Sequence, residues 1–354
     1  MNRKIVAILL AGSMVLGLAA CGSSSDTESD ASSSASEEET KTTSSGEDIH
    51  VEMIVKDTNE YFQRVMAGAQ AYADEYENVT VEFASPTSQT DYDGQMNSIE
   101  TALGSSEFDA LIISPLQSTT VATLVEDTDK TIVAVDTDFT SDFKSSYVGT
   151  ANEDVATEGA TAAVELAQEN GIDAPTAAII TGSQGDETQD TRLSGYQAGI
   201  EDNGGTVIDT QYCDSDPAKV TTAIEAIIEK YPEGVDIILC TDDVSSVAAA
   251  NVIEDSGNEN YIENTILVGL DGTTEAIELV QSGQITIDIA QMSYDMGYIS
   301  METVVAAYEG EEVESYIDTG CELVTSENVE DYIADLEEKG IWEIEETETE
   351  EEEE

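Results

Sequence analysis

Short apolar runs, most of them closed by a polar residue, recur along the chain from residue 48 onward. They are HVEMIV, VTVEFA, DALIISP, TIVAVD, TAAIITG, TVIDTQYC, VDIILCT, TILVGLD and TIDIAQ. Several are continuously apolar rather than alternating, which suits parallel strands covered on both faces. Stretches of helical period lie between them. In YFQRVMAGAQAYADEYE, the residues Val65, Met66, Ala69, Tyr72, Ala73 and Tyr76 repeat at three- and four-residue steps, and DGQMNSIETALGSS and KVTTAIEAIIEKYPEG behave alike. Gly257, Gly283 and Gly310 stand where helices are expected to stop. The β-α-β-α order predicts an α/β protein with doubly wound parallel sheets. Its strands form one set before about residue 150 and another after 175, hence two similar lobes.

The residues that end these strands are polar: Ser114, Asp136, Thr181, the run Thr241-Asp242-Asp243, Asp271 and Gln291. In open α/β sheets ligands bind outside the carboxyl ends of the strands. Ser, Thr and Asp are also favoured there as helix N-caps. Taken together, six such ends from two lobes predict a cleft lined by hydrogen-bond acceptors. Lys56, Asp57, Asn59, Tyr61 and Phe62 follow the first strand and place a base, an amide and two rings near the same edge. An aromatic ring there can pack on the apolar face of a sugar ring, or serve as a staple into the core.

Composition narrows the chemistry. The chain has 354 residues, 40% of them apolar, with 77 acids against 11 bases and a formal charge of −66. Such a surface repels nucleic acid phosphates and anionic membranes, so no nucleic-acid partner is expected. The single histidine, His50, rules against a His-based triad, and the four cysteines show no Cys-x-x-Cys spacing for zinc. The segment Asp136-x-Asp138-x-x-x-Asp142 fails as a calcium loop, with Ser141 where a glycine is needed and Tyr147 where a glutamate is needed. No phosphate loop and no complete dinucleotide fingerprint occurs. We therefore expect neither metal nor cofactor nor enzymatic turnover.

The N-terminus carries a targeting signal. Arg3 and Lys4 precede an apolar run from Ile5 to Ala20, and the run leads to Leu18-Ala19-Ala20-Cys21. That order resembles a bacterial lipobox, which implies cleavage after a signal peptide of residues 1–20 and a lipid on Cys21. Residues 21–47 are mostly Ser, Thr, Glu and Asp, a composition that predicts a flexible tether spanning roughly 25–30 Å. The acidic run at 341–354 reads as a disordered tail. Cys213, Cys240 and Cys321 read as small apolar residues.

In NEYFQRVMAGAQAYADE, DALIISPLQSTTV, TIVAVDTD, RLSGYQAGI, CTDDVSSVAAANVIEDSG, ILVGLDGTTEAIELVQSGQITIDIAQ and MGYISMETVVAAYEGEEV, the chain resembles the bacterial solute-binding proteins for simple sugars, of the ribose and galactose type. The resemblance covers nearly all of residues 48–340. It implies two Rossmann-like lobes joined by a three-stranded hinge, with crossings near Thr150–Asn152, Gln291–Met292 and Asp318–Gly320. The lobes are expected over 48–150 plus 292–319 and over 151–291 plus 320–340. It further implies closure on a small carbohydrate, delivery to an ABC permease, a monomeric chain and an extracytoplasmic location on the cell membrane. A sensor that hands a sugar-like autoinducer or attractant to a signalling partner is the alternative.

Family ligand contacts fall on Asn59, Tyr61, Phe62, Asp136, Asp242, Asp271 and Gln291. Thr137 stands where ribose-type members have an arginine, and Asp190 stands where they have a second one. Arg192 matches a neighbouring arginine of structural type, and the aromatic expected near Ser215 is absent. Lys56, with SPTSQTDYDGQ further on, is similar to binding proteins for the furanosyl autoinducer, and it is the one base expected to face the cleft. With so few bases opposing the acids, a neutral or amine-bearing sugar or polyol is expected over an anionic one.

Overall fold

The computed structural model describes residue 46 and residues 48–342. The expected signal peptide, Cys21, the tether apart from Gly46, and the acidic run from 343 lie outside the described residues.

Among the described residues, twelve strands form two six-stranded sheets. The first sheet contains β1 (Ile49–Ile54), β2 (Val79–Ala84), β3 (Ala110–Ile113), β4 (Thr131–Val135), β5 (Lys144–Gly149) and β11 (Tyr316–Asp318), in the order β11-β5-β4-β3-β1-β2, all parallel. The second contains β6 (Thr176–Thr181), β7 (Thr206–Tyr212), β8 (Ile237–Cys240), β9 (Ile266–Asp271), β10 (Ile287–Gln291) and β12 (Cys321–Thr325), in the order β12-β10-β9-β8-β6-β7. Only β12 runs antiparallel, against β10.

The unbroken apolar strands are explained by their two covered faces. On β4, Val133 and Val135 pack toward α1 (Glu60–Glu75) and α10 (Ser293–Tyr308), while Ile132 and Ala134 pack toward α2 (Tyr92–Gly104) and α3 (Ser118–Leu124). On β8, Ile237 and Leu239 face α4 (Asn152–Glu169) and α5 (Glu187–Asp202). Ile238 and Cys240 face a core shared by α6 (Pro217–Lys230), α7 (Asp243–Ser256), α8 (Glu259–Asn264), α9 (Thr274–Ser282) and α11 (Val329–Glu338). Each buried aliphatic side chain contributes about 1.5–3 kcal/mol relative to exposure. Gly257 and Gly283, at φ 61° and 83°, cap α7 and α9 in the left-handed conformation that glycine adopts without strain.

Within the described residues the chain passes between the sheets three times: from β5 to α4, from β10 to α10, and from β11 to β12. Strands β5, β11 and β12 are absent from the apolar runs read above. KSSYVG opens with polar residues, YID is three residues on an edge, and CELVT is only half-buried. Two residues of the expected tail are described: Ile341 is buried and Trp342 packs against the second lobe's core. Cys213 and Cys240 are buried and Cys321 is half-buried, all three as free thiols.

Candidate functional site

In each sheet the strand order reverses once, between β1 and β3 and between β6 and β8. Such a switch point opens a crevice beyond the strands' carboxyl ends. The two crevices meet, and the residues that end the strands come together there.

Asp136 follows β4 with φ 61°, a left-handed turn that aspartate tolerates better than most residues. Its carboxylate accepts hydrogen bonds from Tyr61 Oη at 3.0 Å, Ser114 Oγ at 3.0 Å and Thr137 Oγ1 at 2.9 Å. Its carbonyl accepts from Tyr147 Oη at 2.8 Å. The acid is thus oriented by α1, by β5 and by the residues just past the ends of β3 and β4. Burial, then the Asp136 charge, pushes the Tyr61 phenol well above its ordinary range, which keeps it a neutral donor.

Asn59 caps α1 by accepting from the Phe62 N–H at 3.1 Å, and this fixes the start of the helix that carries both rings. Tyr61 and Phe62 are buried and meet edge to face with centroids 5.1 Å apart. Helix α1 is held against α10 at backbone contact. A Cβ on Gly68 would lie 1.9 Å from the Tyr294 carbonyl oxygen, so no other residue fits there.

From the second lobe, Asp242 caps α7, accepting from the Ser245 N–H and from Ser215 Oγ, both at 2.8 Å. Burial raises its pKa, and the two serines oppose the rise. Asp271 ends β9 at φ 146°, a sterically costly backbone for a residue with a Cβ. Its Oδ1 lies 3.3 Å from Arg192 Nη1 and accepts from Gln291 Nε2 at 2.7 Å. Burial pushes the Asp271 carboxyl well up, against the pull of Arg192. Arg192 is itself buried; desolvation lowers its pKa, but Asp271 and Asp136 outweigh that and hold it raised. Its other bonds go to Asn152 Oδ1 at 2.8 Å and the Thr241 carbonyl at 2.7 Å.

The lobes are closed on one another. Lys56 Nζ lies 2.6 Å from Asp186 Oδ2 across the cleft, and the Thr137 and Thr188 hydroxyls are 2.7 Å apart. A second clasp joins Arg64 to the Gly272 carbonyl at 2.6 Å and Glu60 to the Thr274 N–H at 3.0 Å. Between the lobes lies a small cavity of about 30 Å³. A larger groove of about 350 Å³ opens on the crossing side, beside Asp138 and Glu187, but it is wide open to solvent. The enclosed cavity, where polar groups converge from both lobes, is the candidate site.

Of the residues singled out from sequence, Lys56, Asn59, Tyr61, Phe62, Asp136, Asp242 and Asp271 line this cavity. Gln291 sits one shell behind, bridging Asp271 and Thr150 Oγ1 (2.7 Å) at a crossing between lobes. Thr137 is fully buried and makes the contact with Thr188 rather than lining the cavity. Asp190 is a correction: it is exposed on α5 and accepts from the Gly185 N–H at 3.1 Å, away from the cavity. Two positions along a helix rotate a side chain by about 200°, so Arg192 faces inward where Asp190 faces out. Arg192 therefore joins Lys56 as a second base at the cleft, against the single base expected. Thr188, Gln189, Ser215 and Gln89 also line the cavity. Thr188, Gln189 and Arg192 share one face of α5, a phase that is visible once Asp186 is known to be the cap. Asp138 pairs with Lys144 at the outer groove, and Asp142 is exposed.

Beneath the second lobe's loops, Asp288 of β10 is fully buried and crowds Asp243 around Gly269. A Cβ on Gly269 would meet Asp288 Oδ2 at 2.5 Å and Asp243 Oδ1 at 2.9 Å. Burial, then the Asp243 charge, pushes the Asp288 carboxyl well up. Asp243 also holds the loop after Asp271, accepting from the Thr273 N–H at 2.8 Å.

A family profile described as "Periplasmic binding protein domain" matches residues 51–312. The D-allose-binding periplasmic protein of Escherichia coli is 25% identical over 236 residues, which is 64% of this chain and 73% of that one. An ABC transporter solute-binding protein of Burkholderia graminis, solved with D-arabinose, superposes with a TM-score of 0.73 at 25% identity, over 80% of this chain and 98% of that one. One from Bacillus halodurans, solved with myo-inositol, gives 0.72 at 24% identity, over 82% and 99%.

Proposed function

Because the chain belongs to the family of periplasmic binding protein domains, we propose that it captures a neutral sugar or sugar-like polyol between its lobes and delivers it to an ABC importer. The observation that carries this reading is the convergence of Asp136, Asp242 and Asp271, each at a strand end and from both lobes, on one enclosed cavity. Carboxylates there accept hydroxyl hydrogens, and each charged hydrogen bond contributes about 1.5–3 kcal/mol. In the closed form this cavity has room for about one water, so a sugar ring enters only as the lobes open. Relatives that hold allose, arabinose and myo-inositol support an uncharged polyhydroxy ligand.

Ligand contacts to both lobes favour the closed form over the open one, and this difference drives capture. The family is one of solute-binding proteins, and capture proceeds without chemical conversion. In this reading a lipid on Cys21 holds a monomer at the outer face of the membrane, where the permease collects the ligand. A thermal-shift screen of neutral sugars, polyols and sugar acids tests the proposal, since a ligand stabilises by RT ln(1 + [L]/Kd). Stabilisation by at least one neutral compound is expected; stabilisation by sugar acids alone overturns the reading.

A further inference from the structure

We propose that Asp186 sets the charge selectivity of the cleft by committing Lys56 to the protein rather than to the ligand. The inference rests on the sugar-binding reading and deepens it. Lys56 and Asp186 come from opposite lobes, with side chains 5% and 8% exposed and charged atoms 2.6 Å apart. Asp186 is held in place as the cap of α5, its Oδ1 accepting from the Gln189 N–H at 3.1 Å. The next carboxylate, Asp136, is 3.8 Å from the same ammonium. The cavity's other cation, Arg192, is spent on Asn152, Thr241 and Asp271.

Neither cation is therefore offered freely to a ligand. An anionic ligand in the closed cleft has to draw Lys56 away from Asp186, leaving a buried carboxylate without its counter-charge, which is strongly unfavourable. A neutral ligand uses hydroxyl hydrogen bonds and leaves the pair whole. The pair spans the lobes and so is complete only on closure. Closure then selects ligands by what they do to it, which is discrimination by penalty rather than by attraction. Asp186 acts through Lys56 and is a positioning residue.

The test uses the full chain and matched pairs: glucose with glucuronate, galactose with galacturonate, and ribose with ribonate. Calorimetric Kd values are compared at neutral pH for wild type, Asp186→Asn and the double variant Lys56→Met/Asp186→Asn. Asn keeps the helix cap, and Asp186→Ser serves as a second capping variant if Asn melts early. In Asp186→Asn, the ratio of Kd for acid over Kd for neutral sugar is expected to fall by about tenfold or more. In the double variant it returns to the wild-type ratio or above. An unchanged ratio in Asp186→Asn, or a fall that survives removal of Lys56, overturns the proposal while leaving sugar binding intact. Wild type that binds no neutral sugar overturns the sugar-binding reading and the proposal with it.

Discussion

Tyr61 Oη lies 3.0 Å from Asp136 Oδ1, so the ring that follows the first strand orients the acid that ends the fourth. The phenol stays neutral across the accessible pH range because burial and the nearby carboxylate both raise its pKa. Tyr61→Phe keeps the ring and removes the donor. We expect ligand affinity to fall about tenfold and fold stability to drop by about 1–2 kcal/mol, without pH dependence. Calorimetric titration and urea unfolding at pH 6 and pH 8 check both. Unchanged affinity would show that Asp136 does not need this orientation.

Arg192 and Asp190 make a matched pair of opposite expectations. Arg192→Leu strands Asp271 in a buried site and is expected to cost about 3–5 kcal/mol of stability and to abolish binding. Asp190→Asn changes an exposed helix residue and is expected to leave Kd within about twofold of wild type. Loss of binding in Asp190→Asn would restore that residue to the site and contradict the placement of α5.

Thr137 fills a buried contact with Thr188 between the lobes. Thr137→Arg, the residue of ribose-type members, overfills this contact and holds the lobes apart. Overpacking of this kind costs about 1–3 kcal/mol, so affinity is expected to fall at least about tenfold, with a radius of gyration larger than wild type in saturating ligand. Thr137→Ser keeps the hydroxyl and is expected to close normally. Small-angle scattering with and without ligand separates the two.

Asp288 links stability to pH with a definite sign. Its pKa is raised in the folded state, so the fold binds a proton that the unfolded chain releases above about pH 4. Stability from this group is intact below that pH and is lost as pH rises toward the folded value. Asp288→Asn removes the titration and lets an amide donate toward Asp243. Melting temperature is expected to equal wild type near pH 4 and to exceed it at pH 7–8. A variant less stable than wild type at pH 8 would show that the carboxyl is held ionised by a partner.

The fold was legible where physics leaves a strong trace. A strand such as β4, buried on both faces, cannot carry polar residues, so Ile132 to Val135 read at once. Strands β11 and β12 left little trace, because edge positions tolerate residues such as Tyr316 and Glu322. In the site, Asp136, Asp242 and Asp271 were legible because a strand's end fixes where its side chains go. The structural reading of Arg192 agrees with its bonds to Asn152, Thr241 and Asp271, while the sequence points Asp190 at the ligand because a helix's facing depends on its first residue and a slip of two reverses it. The pairing of Lys56 with Asp186 spans 130 positions and depends on lobe closure, which no local pattern records.

The central claim is capture of an uncharged polyhydroxy ligand between the lobes. Calorimetric titration of the protein with a panel of neutral monosaccharides and polyols tests it most directly. The account predicts saturable one-to-one binding of at least one of them, with a negative heat-capacity change from the surface buried on closure. Absence of heat from every neutral compound, together with binding of sugar acids, would contradict it.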